Sequence, residues 1–182
     1  MIEIRWHGRG GQGSFTAARL LGLSAALFEN RYALAFPSFG PERRGAPVLG
    51  FTKIDDKKIT DRSEIEICDY VVVLDETLID SQITKGLKKE GIILINSRDL
   101  SKYEQYLSDY KYVALDATQL ALDILGRPIT NTSMLGALIA VSKVIQLDSA
   151  VKGIEHEMPP HLVQKNIQLL QKSFETIQER LK

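Results

Sequence analysis

The chain has 182 residues, with 23 basic and 23 acidic side chains giving a formal net charge of zero, and 44% of it is hydrophobic. That length describes one domain, residues 1–182, with a full core, and with no charge excess to attract nucleic acid or anionic membrane, polyanion binding is not expected. Cys68 is the only cysteine, which excludes an internal disulfide and an iron–sulfur cluster with its usual four thiolates.

Ile2, Ile4 and Trp6 alternate with Glu3 and Arg5, which is strand periodicity. A strand that opens within two residues leaves no signal-peptide pattern, and no apolar run approaches the roughly 20 residues of a bilayer span, so a soluble, cytoplasmic protein is expected. The strand runs into Trp6-His-Gly-Arg-Gly-Gly-Gln-Gly13, where Gly8, Gly10 and Gly13 have G-x-G-x-x-G spacing. Such glycines permit a tight turn and bare amides at a helix N-terminus. The helix that follows, capped by Ser14 or Thr16, places Ala17, Leu20, Leu21, Ser24 and Leu27 on its apolar face.

This is the first half of a dinucleotide-binding unit, whose second strand must end in an acid that holds the ribose. Here the second strand, Tyr32 to Phe36, runs into Pro37-Ser38-Phe39 with no acid, and Glu29 comes too early. The alternatives for the loop are close helix–strand packing, or contact of Arg9 and Gln12 with phosphate or a partner chain. Phe36-Pro-Ser-Phe-Gly-Pro-Glu-Arg-Arg-Gly-Ala-Pro47 is dense in loop formers and charge. Its Glu42-Arg43-Arg44 cluster reads either as an internal ion-pair network or as an anion or subunit contact.

Val48 to Ile54 is predicted as a strand, with Asp55-Asp56-Lys57-Lys58 as a hairpin turn before Ile59. Tyr70–Leu74, Ile92–Ile95 and Tyr112–Leu115 are apolar, β-branched runs suited to parallel strands covered on both faces. Helices are expected around Leu78–Lys89, Ser101–Ser108 and Thr118–Leu125, with Gly91 and Gly126 as stops. Asp75, Asn96 and Asp116 follow the three runs directly, where they line a ligand crevice or cap the next helix. A small-residue helix, Leu135 to Val144, is suited to close approach to the sheet or a second subunit. The last helix, Leu162 to about Leu181, carries Val163, Ile167, Leu170, Phe174, Ile177 and Leu181 on one stripe. Cys68 reads as a small buried hydrophobe. His7, His156 and His161 are scattered, the last two in a solvated loop around Met158-Pro159-Pro160, so no metal site is predicted. The fold class is therefore α/β: a Rossmann-like, mostly parallel sheet flanked by helices, with a β-hairpin insertion and a C-terminal amphipathic helix.

No nucleophile elbow, P-loop or paired-histidine metal motif is present, so no catalytic residue is assigned. The glycine loop, the Phe36–Pro47 segment and Asn131-Thr-Ser-Met-Leu-Gly136, in that order, resemble the gamma subunits of 2-oxoacid:ferredoxin oxidoreductases, the pyruvate synthase type in particular. The resemblance runs from about Ile2 to Val144. It implies coenzyme A-dependent oxidative decarboxylation of a 2-oxoacid to acyl-CoA, CO2 and reduced ferredoxin or flavodoxin. It also implies alpha-, beta- and delta-type partner subunits that carry thiamine diphosphate, Mg2+ and iron–sulfur clusters. This chain alone then holds no cofactor. Gly8, Arg9, Gly10, Gly11, Gln12, Gly13, Glu42, Arg43, Arg44 and Asn131 become candidates for contacting coenzyme A or a neighbouring subunit. Gamma-type subunits for 2-oxoisovalerate, 2-oxoglutarate or indolepyruvate are the near alternatives, and a free-standing nucleotide-binding module is the distant one.

Overall fold

In the computed structural model, which describes residues 1–38 and 44–182, six strands form one mixed sheet. They are β1 (Ile2–Arg9), β2 (Tyr32–Pro37), β3 (Pro47–Asp55), β4 (Cys68–Val73), β5 (Leu87–Asn96) and β6 (Lys111–Leu115), in the order β2-β3-β1-β4-β5-β6. β1, β4, β5 and β6 run parallel, while β3 is antiparallel to both β1 and β2. The α/β class with helices against a sheet is therefore as expected, and the hairpin is β2–β3.

The turn of that hairpin is not Asp55–Lys58. β3 already pairs along its length with β1 on one edge and β2 on the other, so no edge remains for a strand at Ile59. The Asp55 carboxylate instead accepts the amides of Asp56 and Lys57 and turns the chain away.

One face of the sheet carries the helices α1 (Ser14–Phe28), α3 (Ala117–Leu125), α4 (Asn131–Ser142), α5 (Leu147–Glu157) and α6 (Pro160–Arg180). Ile4, Trp6, Ile54, Val72, Leu94 and Leu115 point into that layer. The Trp6 indole donates to Thr52 Oγ1, which in turn donates to the Ala18 carbonyl, so the polar end of this buried ring is satisfied through to α1. The opposite face buries Phe51, Val71, Val73, Ile93 and Ile95 under Ile65, Ile79, Ile83 and the short α2 (Glu104–Leu107). Turns, rather than long helices, cover most of that face.

Five local expectations are corrected. The Leu78–Lys89 helix does not form: a 3-10 turn occupies Glu76–Leu78, and β5 already begins at Leu87. The Asp75 and Asp80 carboxylates take the amides of Thr77 and Gln82, and Gly86 adopts φ 75° against Glu66, so local side-chain bonds and a left-handed residue outcompete the helix. Gly91 lies inside β5 rather than at a helix end, at the register shift where a Cβ would come within 2.9 Å of the Asp69 carbonyl. His156 and His161 sit in α5 and α6, not in a long loop, because Met158 and Pro159 alone separate two helices, the second begun by Pro160. Finally, Gly13 rather than Ser14 or Thr16 caps α1, and Leu27 and Leu181 are exposed instead of joining their stripes.

The other helical readings fit. The 3-10 turn Ser101–Tyr103 and α2 fill the 101–108 stretch, α3 ends at left-handed Gly126, and Ile167, Leu170 and Ile177 are buried on α6. The small-residue helix begins at Asn131 and is almost wholly buried. Its small residues meet α6: a Cβ on Gly136 would collide with the Leu170 carbonyl oxygen, and Ser133 and Ser173 hydroxyls bond at 2.6 Å.

Candidate functional site

The glycine loop leaves the carboxyl end of β1 and gathers the other two motifs around it. Gly10 donates to the Ala46 carbonyl at 2.8 Å and accepts from the Gly45 amide at 3.1 Å, while Arg44 bridges to Gly10. The Phe36–Pro47 segment is thus stitched at its far end to the loop. Gly13 is left-handed at φ 79°, and a Cβ there would lie 2.7 Å from Asn131 Nδ2. Asn131 is buried at the start of α4, so the third motif meets the first at this glycine. Gly11 is also left-handed, at φ 93°, with open space around it, so its glycine serves the turn and not packing.

Arg9 and Gln12 are spoken for. The Gln12 side chain accepts from the Arg9 amide at 2.8 Å and donates to Asp75 Oδ2 at 2.9 Å. Arg9 forks outward to three partners: the Asp75 carboxylate at 3.2 Å, Thr77 Oγ1 at 2.8 Å and the Gly45 carbonyl at 3.1 Å. One guanidinium therefore ties the glycine loop, the second motif and the end of β4 together. Burial alone would push the Asp75 carboxyl up, but the Thr77 hydroxyl, Gln12 and Arg9 hold it below its ordinary value. Asp75 both caps the turn that follows it and anchors the clamp.

Asp116 caps α3 by accepting the Gln119 amide. Asn96 does not cap its own turn; it spans its neighbours, donating to the Leu74 carbonyl and accepting from the Thr118 amide. These residues line a polar cleft of about 560 Å³ at the carboxyl ends of β4, β5 and β6. A second cleft, about 630 Å³, opens over the start of α1 between Gly11, Gly13, Phe15, Thr16, Ser38 and Val48. The N-cap of α1, Gly13, has no side chain to take the first amides of the helix, and Ser14, Phe15 and Thr16 line this cleft. Arg44 is exposed where it bridges to Gly10, whereas Glu42 and Arg43 lie outside the described residues.

His7 lies on the opposite sheet face, in register with Leu49 and Val73. Its Nε2 is buried without a partner among the described residues, and burial, helped by the Arg5 charge, lowers its pKa to about 3. It is a neutral imidazole at physiological pH. Cys68 is buried, and burial pushes its thiol up to about 11, so it is neither a ready nucleophile nor a ready ligand. Among the described residues, no three His, Cys, Asp or Glu side chains are placed to hold a metal, and no helix is long and apolar enough to cross a membrane. The Arg9–Asp75 clamp and the Gly13–Asn131 contact are the two features that sequence reasoning missed. Only the position of Asp75 after an apolar run hinted at the first.

The family described as pyruvate ferredoxin/flavodoxin oxidoreductase matches residues 3–176. The chain belongs to that family. It is 49% identical over 167 residues to pyruvate synthase subunit PorC of Methanocaldococcus jannaschii, spanning 91% of each chain. It is 47% identical over 180 residues, spanning 96% of each, to the Thermococcus kodakarensis protein named pyruvate/ketoisovalerate oxidoreductases common subunit gamma. The crystal structure of the Thermotoga maritima pyruvate oxidoreductase subunit PORC superposes with a TM-score of 0.84 at 38% identity, covering 96% of this chain and 95% of that one.

Proposed function

We propose that this chain is the gamma subunit of a multisubunit 2-oxoacid:ferredoxin oxidoreductase that oxidatively decarboxylates pyruvate with coenzyme A, yielding acetyl-CoA, CO2 and reduced ferredoxin or flavodoxin. The observation that carries this is the end-to-end match to PorC, 49% identity over 91% of both chains. The relative named as common to pyruvate and ketoisovalerate enzymes supports a subunit that does not itself read the 2-oxoacid. The chain's own chemistry agrees with a non-catalytic part. It has one buried thiol against the four that a cluster takes. Thiamine diphosphate, Mg2+ and the clusters then belong to alpha-, beta- and delta-type partners.

Coenzyme A fits the cleft over α1. Its phosphates would meet the uncapped amides of Ser14–Thr16 and the exposed Arg44, with left-handed Gly11 and Gly13 letting the backbone come close. Arg9 and Gln12 act differently from a free anion fork: their donors hold Asp75, Thr77 and Gly45, so they shape the cleft's wall. When bound, the thiol of coenzyme A supplies the acyl acceptor. Arg44→Ala then raises the KM for coenzyme A and leaves kcat for pyruvate intact, and an unchanged KM removes this chain from the coenzyme A site.

A dinucleotide-binding module is disfavoured by geometry as well as sequence. β3, not β2, lies beside β1, and β2 ends in Pro37 at the sheet edge; the acid that does stand beside the glycine loop, Asp75 after β4, is engaged by Arg9, Gln12 and Thr77. The assembly reading is tested by anaerobic affinity purification of the tagged chain with mass spectrometry. Thiamine-binding and cluster-bearing chains are expected to come with it; a solitary 20.4 kDa protein would contradict the reading.

A further inference from the structure

Behind the glycine loop, and touching the three motifs only at Asn131, one cleft of about 620 Å³ lies among α1, the end of α3, the start of α4 and the α5–α6 junction. Two of its apolar side chains, Ile129 and Leu162, remain 45% and 43% exposed at its rim, and Met158 is half-buried beside them. Around these stand Arg127, Lys165 and His161, whose side chains make no hydrogen bond or ion pair with any described residue. The cleft's fourth basic residue, Arg19, is already paired with its single carboxylate, Glu157. A chain of zero net charge has thus concentrated unpaired positive charge around exposed apolar side chains in one place. At the inner wall Asn131 is buried, with its Oδ1 held by the Thr132 amide, and its Nδ2 donates to no described residue.

We propose that this cleft docks an acidic segment of a neighbouring subunit, one that seats an apolar side chain between Ile129 and Leu162 and sets Asp or Glu against Arg127 and Lys165. The inference rests on the oxidoreductase-subunit reading above. Charge complementarity argues for the acid, and a free amide donor on Asn131 suits a carboxylate or carbonyl oxygen. Ile129 and Leu162 stand exposed instead of being enclosed, which suits a side chain carried on a segment better than a small ligand, whose surface is usually mostly engulfed. Because Asn131 also packs against Gly13, an occupant here would touch the residue that positions the glycine loop.

The test uses the complex formed with co-expressed partner subunits. R127E/K165E alters two exposed, unpaired cations, so its melting curve should match that of the parent, confirming that the fold is kept. Its affinity for the partner subunits is expected to fall by about tenfold or more, and added salt should weaken the parent complex more than the variant. A photo-reactive benzoylphenylalanine in place of Leu162 should cross-link, in the assembled complex, to a partner segment that has Asp or Glu beside an apolar residue. Unchanged affinity, a cross-link confined to this chain or a cross-link to a basic segment overturns the docking proposal. A small molecule retained by the parent complex and lost from R127E/K165E in native mass spectrometry also overturns it, in favour of a ligand pocket. If the complex assembles but these signals are absent, only the docking falls; if the parent chain forms no complex, the subunit reading falls with it.

Discussion

Gly13→Ala tests the junction of the first and third motifs most sharply. The substitution meets two separate obstacles. At φ 79° an alanine sits in the left-handed region, which costs about 1–2 kcal/mol for a residue with a Cβ. The new methyl also lies 2.7 Å from Asn131 Nδ2. Asn131 can retreat only by giving up its buried 2.9 Å bond to the Thr132 amide, a further loss of about 1 kcal/mol. The sum is about 2–3 kcal/mol, or a fall in melting temperature of about 5–10 °C for a chain of this size. Thermal and urea unfolding of the parent, Gly13→Ala, Asn131→Ala and the double variant would separate the parts. Once Asn131 is already truncated only the backbone term remains, so the double variant should be more stable than additivity allows by about 1 kcal/mol. A Gly13→Ala protein that melts within a degree or so of the parent would refute the reasoning, as would strict additivity.

Gly136→Ala places a methyl against the Leu170 carbonyl and forces α4 and α6 apart, so a loss of about 3 kcal/mol is expected in urea titration; a near-neutral variant would mean that the helices are less closely apposed. His7 gives a pH signature. Its native pKa, about 3, lies below the ordinary 6.5, so between those values the unfolded chain takes up a proton that the native state refuses. Its contribution is complete above about pH 6.5 and is lost as pH falls toward 3, a few kcal/mol in all. His7→Gln should flatten the pH dependence of stability in that window, and an NMR titration with an ordinary imidazole midpoint would contradict it. Cys68 should resist thiol reagents at neutral pH until denaturant is added, because it is buried and its thiol pKa is raised; stoichiometric labelling of the folded protein would show that the β4 end opens.

Periodicity and apolar runs made most of the sheet legible. β1, β3 and the last three strands are where alternation or β-branched runs place them, because a buried strand's sequence pattern is its own packing requirement. The stretch 78–89 reads as a helix because Ile79 and Ile83 have helical spacing, while the aspartate turns and Gly86 decide the backbone. α5 was missed because its core residues are Ala150, Gly153 and Ile154, too small a stripe to announce a helix. The motifs pointed to the right loops, but not to their wiring. Arg9 on a glycine turn looks like an anion fork, and only the tertiary arrangement shows Asp75, Thr77 and Gly45 engaging its Nε, Nη1 and Nη2. No local signal could reveal that Asn131 packs onto Gly13, more than a hundred residues away, since that contact exists only once α4 and the loop are both in place.

The central claim, that this chain is an indispensable subunit of a 2-oxoacid:ferredoxin oxidoreductase, is tested most directly by omission and add-back. Its thiamine-binding and cluster-bearing partners would be prepared anaerobically without it and assayed for pyruvate- and coenzyme A-dependent reduction of ferredoxin. Ferredoxin reduction should be absent or slight until the purified chain is added, then rise and saturate at a fixed stoichiometry as one larger assembly forms. Full activity without the chain, or no change and no association on adding it, would contradict the claim.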